Sequence, residues 1–131
     1  MLYGSTDSTS PAPASGSSLA TVMIVDDDRD IRENLGELLR DEGFAVEAAW
    51  NGAEAMRRLE AGFKPDLIIL DLMMPVMDGA TFRAKLREAG HLSSIPVIGL
   101  TAFPTVPVDF KCLTKPVRFE RLMAQIRTAL H

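Results

Sequence analysis

The chain has a single cysteine, Cys112, in 131 residues. It has no internal disulfide to make, which fits a reducing compartment. No apolar run approaches the roughly 18 residues needed to cross a membrane, and no basic-then-apolar leader opens the sequence. These absences predict a cytoplasmic protein without a membrane segment. An excess of basic residues is missing too. Lys and Arg number 14 against 18 Asp and Glu, giving a net charge of −4. That balance excludes an electrostatic nucleic-acid binder. A Gly-rich phosphate loop is also absent: the first apolar run ends in "DDDRD", which would repel a pyrophosphate. The first twenty residues, "MLYGSTDSTSPAPASGSSLA", lack hydrophobic periodicity. Their composition predicts a disordered Ser/Pro/Gly-rich tail or linker over 1–20 and a folded domain over 21–131.

Apolar residues make up 47% of the chain, enough for the core of one ordinary domain. Short β-branched runs alternate with helical patterns. "TVMIV" (21–25) reads as a buried strand. Ile31, Leu35, Leu38 and Leu39 then give a helical stripe with acids at its start and Gly43 at its end. "FAVEAA" (44–49) reads as a strand near a sheet edge. Ala55, Met56 and Leu59 mark a second helix, "DLIIL" a third strand, and Phe82, Leu86 and Ala89 a helix over about 79–89. "IPVIGL" (95–100) and "FKCL" (110–113) complete five strands, before a closing helix striped by Phe119, Leu122, Met123, Ile126 and Leu130. This alternation predicts an α/β fold with a doubly wound, five-stranded parallel sheet of the flavodoxin-like type, strand order 2-1-3-4-5. One helix is short or replaced by a loop. "TAFPTVPVDF", between strands four and five, contains Pro104 and Pro107 and leaves too few residues for a full crossover.

In such a sheet the carboxyl ends of the strands share one edge. Asp26 and Asp27 end strand one, Asp71 ends strand three, Thr101 ends strand four and Lys115 follows strand five. Like charges about 4 Å apart repel by about 4 kcal/mol at an effective dielectric of ~20, so converging carboxylates call for a cation. Oxygen ligands with room for water suit Mg²⁺. Read singly, these residues have plainer roles: Asp26 or Asp28 as a helix cap, Asp71 as a turn acid, and Lys115-Pro116 as an ordinary loop.

The segments "VMIVDDD", "LIILDLMMPVMDG", "IGLTA" and "CLTKP", in that order and each at a strand end, resemble the response-regulator receiver domain of two-component signalling. The resemblance covers nearly everything from Thr21 onward. It implies that Asp71 is the phosphoacceptor, taking a phosphoryl group from the phosphohistidine of a histidine kinase or histidine phosphotransfer protein. It implies Mg²⁺ held by Asp26, Asp27, Asp71 and the Met73 backbone carbonyl. Thr101 and Lys115 would bind phosphoryl oxygens, Ala102 would leave them room, and Pro116 would follow a cis bond. Such a domain is not an enzyme in the usual sense, catalysing only its own phosphotransfer and dephosphorylation.

The sequence departs from that family at two places. The Thr101–Lys115 interval is about two helical turns short, and Cys112 stands three residues before the lysine, where a switching aromatic is usual. Loop 102–109 is therefore expected to be either a modified surface for an unknown downstream partner or a trimmed loop with no partner, and the protein a monomer. The alternative is a constitutive, phosphorylation-independent interaction module with a vestigial acidic pocket. No output domain is expected after the closing helix, which leaves a stand-alone receiver or the C-terminal receiver of a hybrid kinase.

Overall fold

The computed structural model describes residues 19–74, 77–103 and 110–130. Its strands are β1 Thr21–Val25, β2 Ala45–Ala49, β3 Leu67–Asp71, β4 Val97–Thr101 and β5 Lys111–Thr114. The helices are α1 Arg29–Asp41, α2 Gly52–Glu60, α3 Gly79–Glu88 and α4 Phe119–Ala129, with a 3-10 turn at Gly90–Leu92. All strands pair in parallel in the order β2-β1-β3-β4-β5, the doubly wound arrangement expected. Most of the N-terminal segment expected to be a tail (1–18) lies outside the described residues.

Strand alternation splits the core into two layers. Met23, Val25, Ile68 and Leu70 meet α2 and α3 through Met56, Leu59, Phe82 and Leu86. On the other face Val22, Ile24, Leu67 and Ile69 meet Leu39 of α1 and Leu122, Met123 and Ile126 of α4. β3 is buried along its whole length, as a central parallel strand must be. The starts of α1, α2 and α3 are fixed by side-chain caps. Asp28 accepts from the Asp30 and Ile31 amides, Asn51 from Glu54 and Asp78 from Thr81. α1 is released at Gly43, whose φ of 99° suits glycine.

Boundaries differ from the sequence pattern at β4 and β5. β4 extends to Thr101, and β5 begins at Lys111 and extends to Thr114. Ladder pairing decides this, since Thr101 and Thr114 are register partners. Leu38 also differs, being exposed. It sits about 100° around α1 from Leu39 and lines an open groove of about 510 Å³ between α1 and α4. Among the described residues no helix separates β4 from β5, and 104–109, most of the loop singled out in sequence, lie outside them. Phe110 packs there against the sheet face. A Cβ on Gly99 would lie 2.9 Å from Cys112 Sγ and 3.0 Å from the Phe110 ring.

Two glycines give opposite predictions. A Cβ at Gly79 would stand 2.8 Å from the Leu72 Cα, a backbone atom unable to yield. Gly79→Ala is expected to destabilise the fold by about 1–3 kcal/mol in urea unfolding. At Gly36, inside α1, the nearest atom is the flexible end of Arg40 at 3.4 Å. Gly36→Ala should stabilise by about 0.5–1 kcal/mol through helix propensity.

Candidate functional site

The strand order sets β1 beside β3, and their carboxyl ends bring Asp26, Asp27 and Asp71 together. One oxygen from each lies within 4.8 Å of the others, with Asp26 and Asp71 buried and Asp27 exposed. Unit charges at that separation repel by about 3 kcal/mol at an effective dielectric of ~20. The Lys115 ammonium partly offsets this, with Nζ 3.6 Å from Asp26 Oδ2 and 3.5 Å from Asp71 Oδ1. Three carboxylates against one ammonium leave the pocket negative.

Asp26 and Asp71 are held by main-chain hydrogen bonds. The Asp26 amide donates to the Ala49 carbonyl at 3.1 Å, joining the β1 end to β2. Its Oδ1 accepts from the Asp28 amide at 2.9 Å, and its carbonyl accepts from Arg32 Nη1 at 2.7 Å. Asp71 Oδ1 accepts from the Met73 amide at 3.1 Å, which holds the Met73 backbone beside the carboxylate. Lys115 is tied in through its own amide, 2.6 Å from the Thr101 carbonyl, and its bond to Pro116 is cis. The buried Thr101 hydroxyl accepts from the Phe103 amide at 3.1 Å. Ala102 lies between them, exposed.

Asp26 Oδ2 is buried and makes no hydrogen bond among the described residues, since 3.6 Å to Lys115 is an ion-pair distance only. A buried carboxylate oxygen without a donor is costly unless a cation takes it. This orphaned oxygen, next to two further carboxylates, fits a hard divalent ion with oxygen ligands.

The sequence had singled out Asp26, Asp27, Asp71 and Lys115, and the structure brings all four together. Asp28 is outside this group and caps α1. Arg32 was missed. It lies one turn into α1, among charged residues that read as an ordinary solvated helix start. Trp50 was also missed as part of the carboxyl edge. With Met73 and Phe103 it forms a set of three large apolar side chains, each more than half exposed, at the ends of β2, β3 and β4. Its position directly after a strand and before the Asn51-Gly52 turn was the available signal. Met74 and Met77, in contrast to Met73, pack into or against the core.

Burial raises the Asp26 carboxyl from 3.8 to about 6, with the charges of Asp71 and Asp27 adding to the rise and the Asp28 amide and Lys115 opposing it. An acid whose pKa is higher folded than unfolded holds its proton more tightly in the folded state. Its contribution to stability is therefore full below about pH 4 and is lost as pH rises through about 6. With divalent cations chelated, the unfolding free energy of the wild type relative to Asp26→Asn should fall between about pH 4 and 7 and then level off. Denaturant titrations across that range check it, and a flat difference would remove burial of this acid as the cause.

The sequence profile of the response regulator receiver domain matches residues 22–127. Response regulator MprA of Mycobacterium sp. strain KMS is 37% identical over 119 residues, covering 83% of this chain and 50% of that protein. The chain thus spans about half the length of the curated relatives it matches. Among solved structures, the Vibrio cholerae chemotaxis protein CheY4 superposes with a TM-score of 0.79 at 31% identity, covering 86% of this chain and 100% of that one. Response regulator TrrA of Thermotoga maritima, in complex with Mg²⁺-BeF, gives 0.76 at 30% identity, again with 86% and 100% coverage.

Proposed function

The chain belongs to the response regulator receiver domain family, and on that premise we propose that Asp71 is a phosphoacceptor whose modification switches partner binding. The observation that carries this reading is the convergence of a buried aspartate, two further carboxylates and one lysine at the end of the central strands. Asp26, Asp27, Asp71 and the Met73 carbonyl would hold Mg²⁺, as the orphaned Asp26 oxygen and the Mg²⁺-bearing neighbour support. When bound, the ion would offset charge on the carboxylates and on the incoming phosphoryl oxygens.

The rest is the work of the chain's own groups. A carboxylate oxygen of Asp71 attacks phosphorus of the donor's phosphohistidine. The P–N bond breaks, the imidazole leaves with its electron pair, and an acyl phosphate forms on Asp71. Met73 N–H holds Asp71 Oδ1 in place, which leaves Oδ2 free among the described residues to act as nucleophile. Lys115 lies close enough to follow the new negative charge from the carboxylates to the phosphoryl oxygens. Thr101 already accepts through Oγ1 from Phe103 N, so its hydroxyl proton is available for a phosphoryl oxygen. Ala102 adds no bulk. The phosphodonor is a histidine kinase or histidine phosphotransfer protein, and the setting is the cytoplasm. No helix among the described residues is long and apolar enough to cross a membrane.

A constitutive interaction module is the competing reading, and it draws on Cys112, half-buried at the position where an aromatic is usual in the family. Incubation with acetyl phosphate and Mg²⁺ separates the two. The expected result is a mass increase of one phosphoryl group, absent without Mg²⁺ and absent in Asp71→Asn. A protein that neither gains the group nor binds Mg²⁺ would be the constitutive module.

A further inference from the structure

Of the three carboxylates at the strand ends, Asp27 is the exposed one, and it makes no hydrogen bond among the described residues. Its direction is set by the two peptide planes that flank its Cα, each of them rigid. The plane after it is held where the Asp28 amide donates to Asp26 Oδ1 at 2.9 Å. The plane before it is held at the Asp26 carbonyl, which accepts from Arg32 Nη1 at 2.7 Å. That distance is typical of a charge-assisted bond.

Among the described residues the sheet supplies no donor to this carbonyl. The Asp26 amide still bonds to β2 through Ala49, but β2 ends there. The next two residues turn into α2: the Trp50 amide donates to Glu54 Oε1, and Asn51 caps the helix. Arg32 fills the gap. It is half-buried, the fourth residue of α1, and its side chain runs back toward the helix start to reach the end of β1. Arg29, three residues earlier, pairs instead with Glu33 at 2.8 Å in solvent. Arg32 makes no ion pair among the described residues, although it bonds the main chain of one of the pocket's acids. Its charge is held close to a pocket that calls for a cation, which Coulomb's law alone disfavours.

We infer that Arg32 is a positioning residue of this pocket. By holding the peptide between Asp26 and Asp27, it keeps the Asp27 carboxylate within 4.8 Å of the Asp26 and Asp71 oxygens. A divalent ion that takes oxygen ligands then binds more tightly with the arginine present than without it. The inference rests on the reading of the pocket as a Mg²⁺ site. Charge and orientation act with opposite signs here. Removing a nearby positive charge would by itself strengthen cation binding, whereas releasing the Asp27 peptide weakens it.

Two substitutions separate these effects. Arg32→Met keeps the apolar stem of the side chain and removes its donors and charge. Arg32→Lys keeps a donor for the carbonyl. Mg²⁺ titrations of the full chain, followed by backbone amide shifts, should show affinity about tenfold weaker in Arg32→Met and largely restored in Arg32→Lys. The Asp27 N–H lies in the clamped peptide plane and reports on it without any metal. Its order parameter should fall from about 0.85 toward about 0.6 in Arg32→Met and recover in Arg32→Lys. Equal or tighter binding by Arg32→Met, no recovery with lysine, or an unchanged Asp27 order parameter would each overturn the inference and leave the Mg²⁺ reading intact. A wild type whose amide shifts do not respond to Mg²⁺ would overturn that reading, and this inference with it.

Discussion

Mutual repulsion of three carboxylates governs this molecule. Acids whose oxygens lie within 4.8 Å of one another stay together only if the backbone carrying them cannot relax away. Central parallel strands meet that demand. β1 and β3 lie side by side, β3 is buried throughout, and each is clamped on both flanks by a neighbouring strand. The residues after the strand ends are tied as well, through the Asp28 and Met73 amides to the carboxylates and through Arg32 to the Asp26 carbonyl. The two apolar layers supply the stability against which this local strain is set, since burial of Val, Ile and Leu side chains contributes about 1.5–3 kcal/mol each. Lys115 meets part of the remaining charge.

The fold was legible because its strands are short, β-branched and bounded by turn residues, and because the helices between them repeat at helical spacing. The acids were legible for a related reason. In a parallel sheet, position at a strand end is also position at the shared edge, so Asp26, Asp27 and Asp71 could be brought together without coordinates. What sequence left hidden depends on neighbours. Ladder pairing, not local composition, extends β5 to Thr114. Leu38 is apolar yet faces a groove, because helix phase alone does not say where the next helix packs. Arg32 looks like any charged residue at a helix start until its guanidinium is found on a main-chain carbonyl.

Between β4 and β5 the described residues hold no helix. Elsewhere a helix covers the sheet between successive strands. Here Phe110 lies on Gly99, with the Arg83 guanidinium 5.8 Å from its ring centroid. One aromatic ring and a cation from α3 thus shield part of the sheet face there, at a separation suited to a cation–π contact. The glycine is integral to this, because any side chain at 99 would occupy the volume of the ring or the thiol. Cys112 is half-buried beside it, with burial pushing its thiol above the usual range and away from thiolate reactivity.

The tie from Lys115 to Asp26 joins residues far apart along the chain, and β5 joins the sheet only through β4. A ribosome therefore delivers both aspartates of β1 long before the lysine that answers them. The acids of the pocket sit at the ends of β1 and β3 while their counter-charge comes from the far side of β4. β5 and Lys115 are thus the segments that relieve the tension set up by the earlier ones. Closure of the sheet by β5 and placement of the ammonium are coupled, because Lys115 directly follows Thr114, the last residue of β5.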